Sequence, residues 1–502
     1  MSEQEHVQQG VTAGRGPQTI EGAAPGTAME TAAHEGSGGE FEREPVPQNR
    51  LLGFKSFIGM YAGEHCAGTE LMIGPLFVAA GVSAFDLLMG LLVGNALAVL
   101  SWMFLCAPIA TRARLTLYYQ LEKICGQYLV KVYDLANGVM FCFLAGAMIT
   151  VSATAVGVYI KFPMPALNDL YPNSIGWVVA VLAVGALISI VAACGYETVA
   201  KFGNIASPWM VLVFLVFGFV GLRDFITATG SEIHSAADLW NLATTSIWKG
   251  GDPLPGRVKF TFWHVTFFAW FCNMAMHVGM SDLSVFRFAK KSWYAVASAA
   301  GMYVGHFMAW IAASILYAYQ LHLDPADTDV LPGPLAWRAA GLVGLICVII
   351  AGWTTANPTI YRAGLAFQAI IPKASRFKVT LLTGLVATIA AMFPLIAMRL
   401  LDFVAFYGLL LMPMGAVVFV DFWLMRKLGL ESNYAAAHGR VFNWAAGLAW
   451  GLTLAICGWL VLTGRVQIYF VSLPGWFAAA LIYIVASRFY QKKAGPASLA
   501  AA

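Results

Sequence analysis

Residues 54–82 read FKSFIGMYAGEHCAGTELMIGPLFVAAGV. Two apolar stretches, 54–62 and 71–82, flank Gly63-Glu64-His65-Cys66-Ala67-Gly68-Thr69-Glu70. A helix needs roughly 20 apolar residues to cross a bilayer, so neither stretch spans alone, but the two together do. Polar side chains and glycines then fall where a continuous helix would lie deepest. Such a segment reads as an interrupted transmembrane helix whose joint exposes backbone carbonyl and amide groups inside the protein. The competing account is a surface turn between a short re-entrant helix and a true span.

The rest of the chain supplies the context. Of 502 residues, 59% are hydrophobic and 11% charged, against about a quarter charged in an ordinary soluble domain. One soluble core could not hide that much apolar surface. The apolar residues also come in runs such as IGWVVAVLAVGALISIVAA (175–193). The expected spans are 52–81, 84–108, 130–159, 174–194, 203–222, 260–281, 293–320, 336–361, 377–397, 401–425, 443–463 and 468–490. The fold class is therefore an all-α polytopic membrane protein of about 12 transmembrane helices. Residues 1–48, including EGSGGEFEREP, are nearly free of large aliphatics and are expected to form a disordered tail. They are no signal peptide, since no apolar stretch follows a basic start. A short tail, 491–502, closes the chain.

Net charge is +4 with no clustered basic face, so nucleic acid is not an expected partner. The implied partners are a small solute and the lipid bilayer; a monomer and a homo-oligomer are equally compatible with the sequence. Nearly all of the eight cysteines, among them Cys66, Cys106, Cys142, Cys272, Cys347 and Cys457, sit singly inside apolar runs, as small buried hydrophobes do. Lys and Arg accumulate in alternate loops. One side holds Arg112, Arg114, Lys123, Lys201, Arg287, Lys290, Lys291, Arg362, Lys373, Arg376, Arg426 and Lys427, while a loop on the other carries Asp324, Asp327 and Asp329. Positive loops stay inside, so both termini are expected to be cytoplasmic in a multi-pass cell-membrane protein.

Polar groups at membrane depth are costly and mark pathways or sites. Besides Glu64, His65 and Glu70, Asn273 and His277 lie four residues apart near the end of the sixth span, followed by Ser281 and Asp282. They are either site residues or satisfied groups packing one helix on another. In the eighth span, Ala351-Gly352-Trp353-Thr354-Thr355-Ala356-Asn357-Pro358 places Pro358 where it cannot bond the Thr354 carbonyl. The Ala351 carbonyl and the hydroxyls of Thr354 and Thr355 would form a neutral oxygen nest suited to sodium or another monovalent cation. On the residues alone, hydroxyls back-bonding to their own helix explain the pair more simply. Interruptions in the first and sixth spans are what two five-helix halves of opposite orientation would show: 52–222 and 260–425, followed by two additional helices over 443–490.

Several motifs resemble the nucleobase–cation symporter-1 family, which includes purine/cytosine, allantoin and hydantoin permeases. They are Gly90-Leu91-Leu92-Val93-Gly94-Asn95, the connection from Gly195 to Pro208, Arg287-Phe288-Ala289-Lys290, Trp353-Thr354-Thr355 with Tyr361 and Gly364-Leu365, Pro413-Met414-Gly415 with Asp421-Phe422, and Phe442-Asn443-Trp444 with Trp450-Gly451. The resemblance implies a five-plus-five inverted-repeat core with two more helices. It implies a midplane substrate site between spans 1, 3, 6 and 8 and a cation site at Ala351, Thr354 and Thr355. The candidates this chain offers for the solute are Glu64, His65, Glu70, Phe143 (or Phe141), Asn273, His277 and Trp353, of which the Glu64, His65 and Glu70 cluster departs from the nucleobase carriers. It also implies no cofactor, with sodium or a proton as coupling ion. This chain departs in having Ser284 three residues before Arg287, with Asp282 earlier, and no Trp over 130–159. The function expected is uptake of a nucleobase or related nitrogenous compound by alternating access. A carrier for a small cationic or polar amine is the alternative. A channel would need a continuous polar lining, and an intramembrane enzyme a catalytic motif that the sequence does not present.

Overall fold

The computed structural model describes residues 40–165, 169–395 and 400–491, the side chains of 400–404 excepted. Among them the chain is helical, with isolated bridges at Leu52–Ala289 and Ser83–Lys249 in place of strands. Span 1 is two helices, Lys55–His65 and Glu70–Ala79. Spans 2 to 5 are Ala84–Ala113, Gln127–Ile160, Ile175–Ala193 and Tyr196–Thr229. Span 6 is again broken, into Phe262–Phe271, Met274–His277 and Leu283–Phe286. Spans 7 to 12 are Ser292–Leu323, Pro332–Ile370, Arg376–Ala391, Leu400–Trp423, Trp444–Leu462 and Ile468–Tyr490. The two interruptions stand first and sixth, so each opens a set of five spans.

Small residues let these helices approach closely, as membrane interiors require. A Cβ on Gly94 of span 2 would stand 2.4 Å from the Thr266 carbonyl oxygen of span 6, and one on Gly352 of span 8 would stand 1.9 Å from Ser152 Oγ of span 3. Spans 3 and 8 run along each other; Gly185 of span 4 meets Thr388 of span 9. On the other side, Gly74 of span 1 packs on Trp310 of span 7. Spans 3, 4, 8 and 9 thus pack on one another, while span 1 packs chiefly on spans 5 and 7 and the first part of span 6 on span 2.

Both joints are seated by tight contacts. At span 1, a Cβ on Gly68 would stand 2.7 Å from Val151 of span 3 and 3.3 Å from the Val348 carbonyl of span 8. At span 6, Met280 holds a left-handed φ of 64°, a conformation that costs energy in a non-glycine residue and gathers at functional sites. Gly415 of span 10 backs this joint: a Cβ there would stand 1.9 Å from the Val278 carbonyl oxygen. Gly415→Ala is therefore expected to destabilise the protein by about 1–3 kcal/mol through overpacking, read as a lowered Tm in detergent.

Three features were not legible beforehand. Leu117–Cys125 is a short helix between spans 2 and 3. Span 8 breaks near its start, where Gly341 takes φ 54°, and then runs on to Ile370, nine residues past the expected end at 361. Most of the tail expected over 1–48 lies outside the described residues, but its last part, from residue 40, is packed. Val46 is fully buried and bonds the Arg114 carbonyl, Arg43 pairs with Glu122, and Arg287 donates to the Phe41 carbonyl. The end of the chain beyond Gln491 also lies outside the described residues. The eight cysteines are free, seven of them wholly or partly buried.

Candidate functional site

The first joint faces span 8. There the Thr355 hydroxyl lies 2.9 Å from the Glu64 carbonyl oxygen and 3.1 Å from that of Ala351, and the Thr354 hydroxyl lies 3.0 Å from Ala351. Both threonines are buried. Four uncharged oxygens from two elements thus converge where the first span loses its helical hydrogen bonding. In the absence of a cation the hydroxyls donate to these carbonyls; either can instead turn its lone pairs inward. The donor set is that of a hard monovalent cation, and the residues present fit sodium.

A charged network lies beside it. Arg362, two turns beyond Thr355 on span 8 and fully buried, grips both interrupted helices. Its Nη1 donates to Glu64 Oε1 at 2.6 Å and its Nη2 to Oε2 at 3.2 Å. Its Nη2 and Nε donate to Asp282 Oδ1 at 2.8 and 3.2 Å. Asp282 Oδ2 accepts from the Tyr61 hydroxyl at 2.5 Å and from the Trp102 indole at 2.8 Å. Two carboxylates to one guanidinium leave one formal negative charge. Glu64 joins the two sites, its carboxylate on Arg362 and its carbonyl on Thr355.

The second joint presents groups with nothing to bind. His277 is fully buried, with Nε2 3.0 Å from the Trp270 carbonyl oxygen. A carbonyl only accepts, so that nitrogen carries the proton and Nδ1 is an acceptor in the neutral ring. Nδ1 has no partner among the described residues, and neither do Asn273 Nδ2 and Ser281 Oγ of the same span. Buried polar groups in native proteins nearly always have partners, so these atoms make the second joint a candidate ligand site. The Trp102 ring stands 4.5 Å from His277 and 6.1 Å from His65.

The expected site residues divide. Glu64, His65, Asn273, His277, Ala351, Thr354 and Thr355 meet around the two joints. Glu70 faces span 7 instead, bonding Trp310 and approaching His306. Trp353 turns toward Phe202 of span 5, ring centroids 6.0 Å apart. Phe143 is half-buried on span 3, whereas Phe141, two residues earlier, is fully buried against Tyr407. By sequence alone Arg362 falls in a loop after span 8, and Asp282, Tyr61 and Trp102 have no assigned role. Helical spacing held the signal for Arg362: positions 351, 355, 358 and 362 share one face of a helix.

No protein-family model and no curated protein sequence matches the chain. Solved structures do. One is Mhp1, a nucleobase-cation-symport-1 family transporter, in a closed conformation with bromovinylhydantoin bound: TM-score 0.67, 16% identity, 92% of this chain and 99% of that one covered. Another is a Na+-coupled sialic acid symporter in a substrate-bound outward-open state: TM-score 0.58, 15% identity, coverage 88% and 91%. A mutant of the Eremococcus coleocola manganese transporter matches with TM-score 0.53, 12% identity and coverage 89% and 98%. At these identities the likeness is one of architecture: the chain is a multi-pass membrane protein with the five-plus-five inverted-repeat fold found in a nucleobase-cation-symport-1 family transporter.

Proposed function

We propose that the chain is a cation-coupled secondary active transporter that takes up a small planar nitrogenous solute, such as a nucleobase or hydantoin, by alternating access. The observation that carries this reading is the meeting of the Glu64 and Ala351 carbonyls with the Thr354 and Thr355 hydroxyls at the interrupted first helix. The Na+ coupling of the sialic acid symporter, which shares the fold, supports it. Residues 52–222 and 260–425 are taken as the two halves, 443–490 as the added pair, and the N-terminus as cytoplasmic in the cell membrane.

In this mechanism sodium is a cargo held by the four oxygens. Its charge offsets the one left over among Glu64, Asp282 and Arg362, and it draws the first joint onto span 8. The solute then binds at the second joint. The Asn273 amide N–H and the His277 Nδ1 lone pair offer one donor and one acceptor, complementary to the –NH–C(=O)– edge of such rings, and Trp102 offers an aromatic face. Arg362 lies beyond the cation site toward the cytoplasmic end, so it latches spans 1 and 6 to span 8. Inward release requires that latch to open. The membrane potential favours inward movement of sodium by about 2.3 kcal/mol per charge per 100 mV.

The leftover negative charge favours one second reading, a cationic amine as solute. Uptake into proteoliposomes of a panel of nucleobases, hydantoins and small amines, with and without an inward sodium gradient, separates the two. The expected result is sodium-dependent accumulation of a ring imide or amide; accumulation of amines alone would establish the second. His277→Ala is expected to raise KM for that solute roughly tenfold, the equivalent of one hydrogen bond of about 1.4 kcal/mol, with sodium affinity little changed.

A further inference from the structure

The first span carries a second carboxylate that neither the oxygen nest nor the Arg362 network uses. Glu70 opens the helix Glu70–Ala79 and is 2% exposed. Its Oε2 accepts from the Trp310 indole, and its Oε1 stands 3.6 Å from His306 Nε2, an ion-pair rather than a hydrogen-bond distance. Among the described residues no Lys or Arg pairs with it. A carboxylate at membrane depth without a compensating charge is costly, and the basic groups near it are imidazoles, whose charge comes and goes with a proton.

The surroundings are built rather than incidental. Span 7 widens into a π-helix over Ala300–Phe307, a distortion that is rare and concentrated at functional sites. That turn carries Gly301 and Gly305. A Cβ on Gly305 would stand 2.6 Å from the His65 carbonyl oxygen, and one on Gly301 2.6 Å from His65 Nδ1. The glycine face therefore seats the first joint on span 7, with the His65 and His306 rings 4.7 Å apart. His306 stacks on Trp310 at 4.2 Å, the residue that holds Glu70, and its Nδ1 is buried without a partner among the described residues. The titratable groups facing the pair are His65 and Cys66 of span 1 and Cys272 of span 6; none is a permanent cation.

We infer that Glu70 and His306 together bind one exchangeable proton, so that the first joint responds to protons at a site separate from the sodium nest. The proton adds to a lone pair of Glu70 Oε1 or His306 Nε2, raises the charge of the pair by one, and leaves to water by the reverse step. The binding site stands on this geometry; its use in coupling rests on the transporter reading above.

The test needs no solute. In pH-difference infrared spectra of the full chain in liposomes, the wild type is expected to show a carboxyl signal that changes as pH falls, a carboxylic acid C=O band for a proton on Glu70 or a shifted carboxylate stretch for one on His306, and that is lost in Glu70→Gln. His306→Gln is expected to move its midpoint by about one pH unit or more. Should Glu70→Gln not be recovered as a monodisperse protein, Trp310→Phe serves, since it removes the indole donor and must shift the same band. A pH-difference spectrum identical in wild type and Glu70→Gln, or a midpoint indifferent to His306→Gln, overturns the inference. Either failure leaves sodium-driven uptake untouched; loss of all gradient-driven uptake in the wild type would instead defeat the transporter reading.

Discussion

Arg362→Gln is expected to abolish solute accumulation in proteoliposomes and to destabilise the protein by about 3–5 kcal/mol, the cost of stripping one partner from a buried ion pair. The arginine is fully buried and forks to two carboxylates, Glu64 on the first joint and Asp282 on the second. Glutamine keeps a polar tip but removes the positive charge, leaving two buried carboxylates with no cation to share. Lysine keeps the charge but lacks the planar fork that reaches both acids at once. Arg362→Lys should therefore recover much of the stability and little of the transport. Adding Asp282→Asn to Arg362→Gln removes one uncompensated charge and should restore part of the lost Tm, a non-additivity expected only of groups in one network. Thermal melts of the three variants, paired with uptake, provide the check. If Arg362→Gln melts and transports like the wild type, the latch has no role.

Replacing Thr354 and Thr355 together with alanine is expected to leave the fold intact and remove the sodium dependence of transport. Each change deletes a hydroxyl that lies 3.0–3.1 Å from the Ala351 carbonyl oxygen, and Thr355 also lies 2.9 Å from that of Glu64. In the absence of a cation these are ordinary back-bonds of a membrane helix, whose loss costs little. As cation ligands each would contribute about 1.5–3 kcal/mol, the range of a hydrogen bond to a charge, so each deletion should weaken sodium binding by roughly tenfold to a hundredfold. Thr355→Ala should be the more damaging of the two, because only that hydroxyl bridges span 8 to the first joint. Sodium activation curves for solute uptake give the comparison. A double variant with an unchanged sodium requirement would reduce the threonines to helix packing.

The sequence was readable where one rule dominates. Hydrophobic runs set twelve spans because the bilayer leaves no alternative for backbone polar groups, and Gly63–Glu70 marked the first joint because nothing in a continuous span explains two acids there. Arg362 was misplaced for the converse reason. Its charge argued for a loop, while its helical register with Ala351 and Thr355 argued for the interior, and only the partners supplied by distant residues 64 and 282 decide between them. In sequence Glu70 stands beside Glu64 in a single polar joint. The structure separates them, since the joint turns one acid toward span 8 and the other toward span 7. The π-turn at Ala300–Phe307 that positions His306 leaves no mark on hydrophobic periodicity. Trp102 reads as one more apolar residue of span 2 until its indole is seen on Asp282.

The most direct measurement is equilibrium binding of radiolabelled sodium to the purified protein, wild type against the Thr354→Ala/Thr355→Ala double variant, in the absence of any solute. The expected result is saturable binding to the wild type, displaced by unlabelled sodium, that falls at least tenfold in affinity in the double variant. Saturable binding of equal affinity in both proteins, or none in the wild type, would contradict a cation site at the meeting of the first joint and span 8.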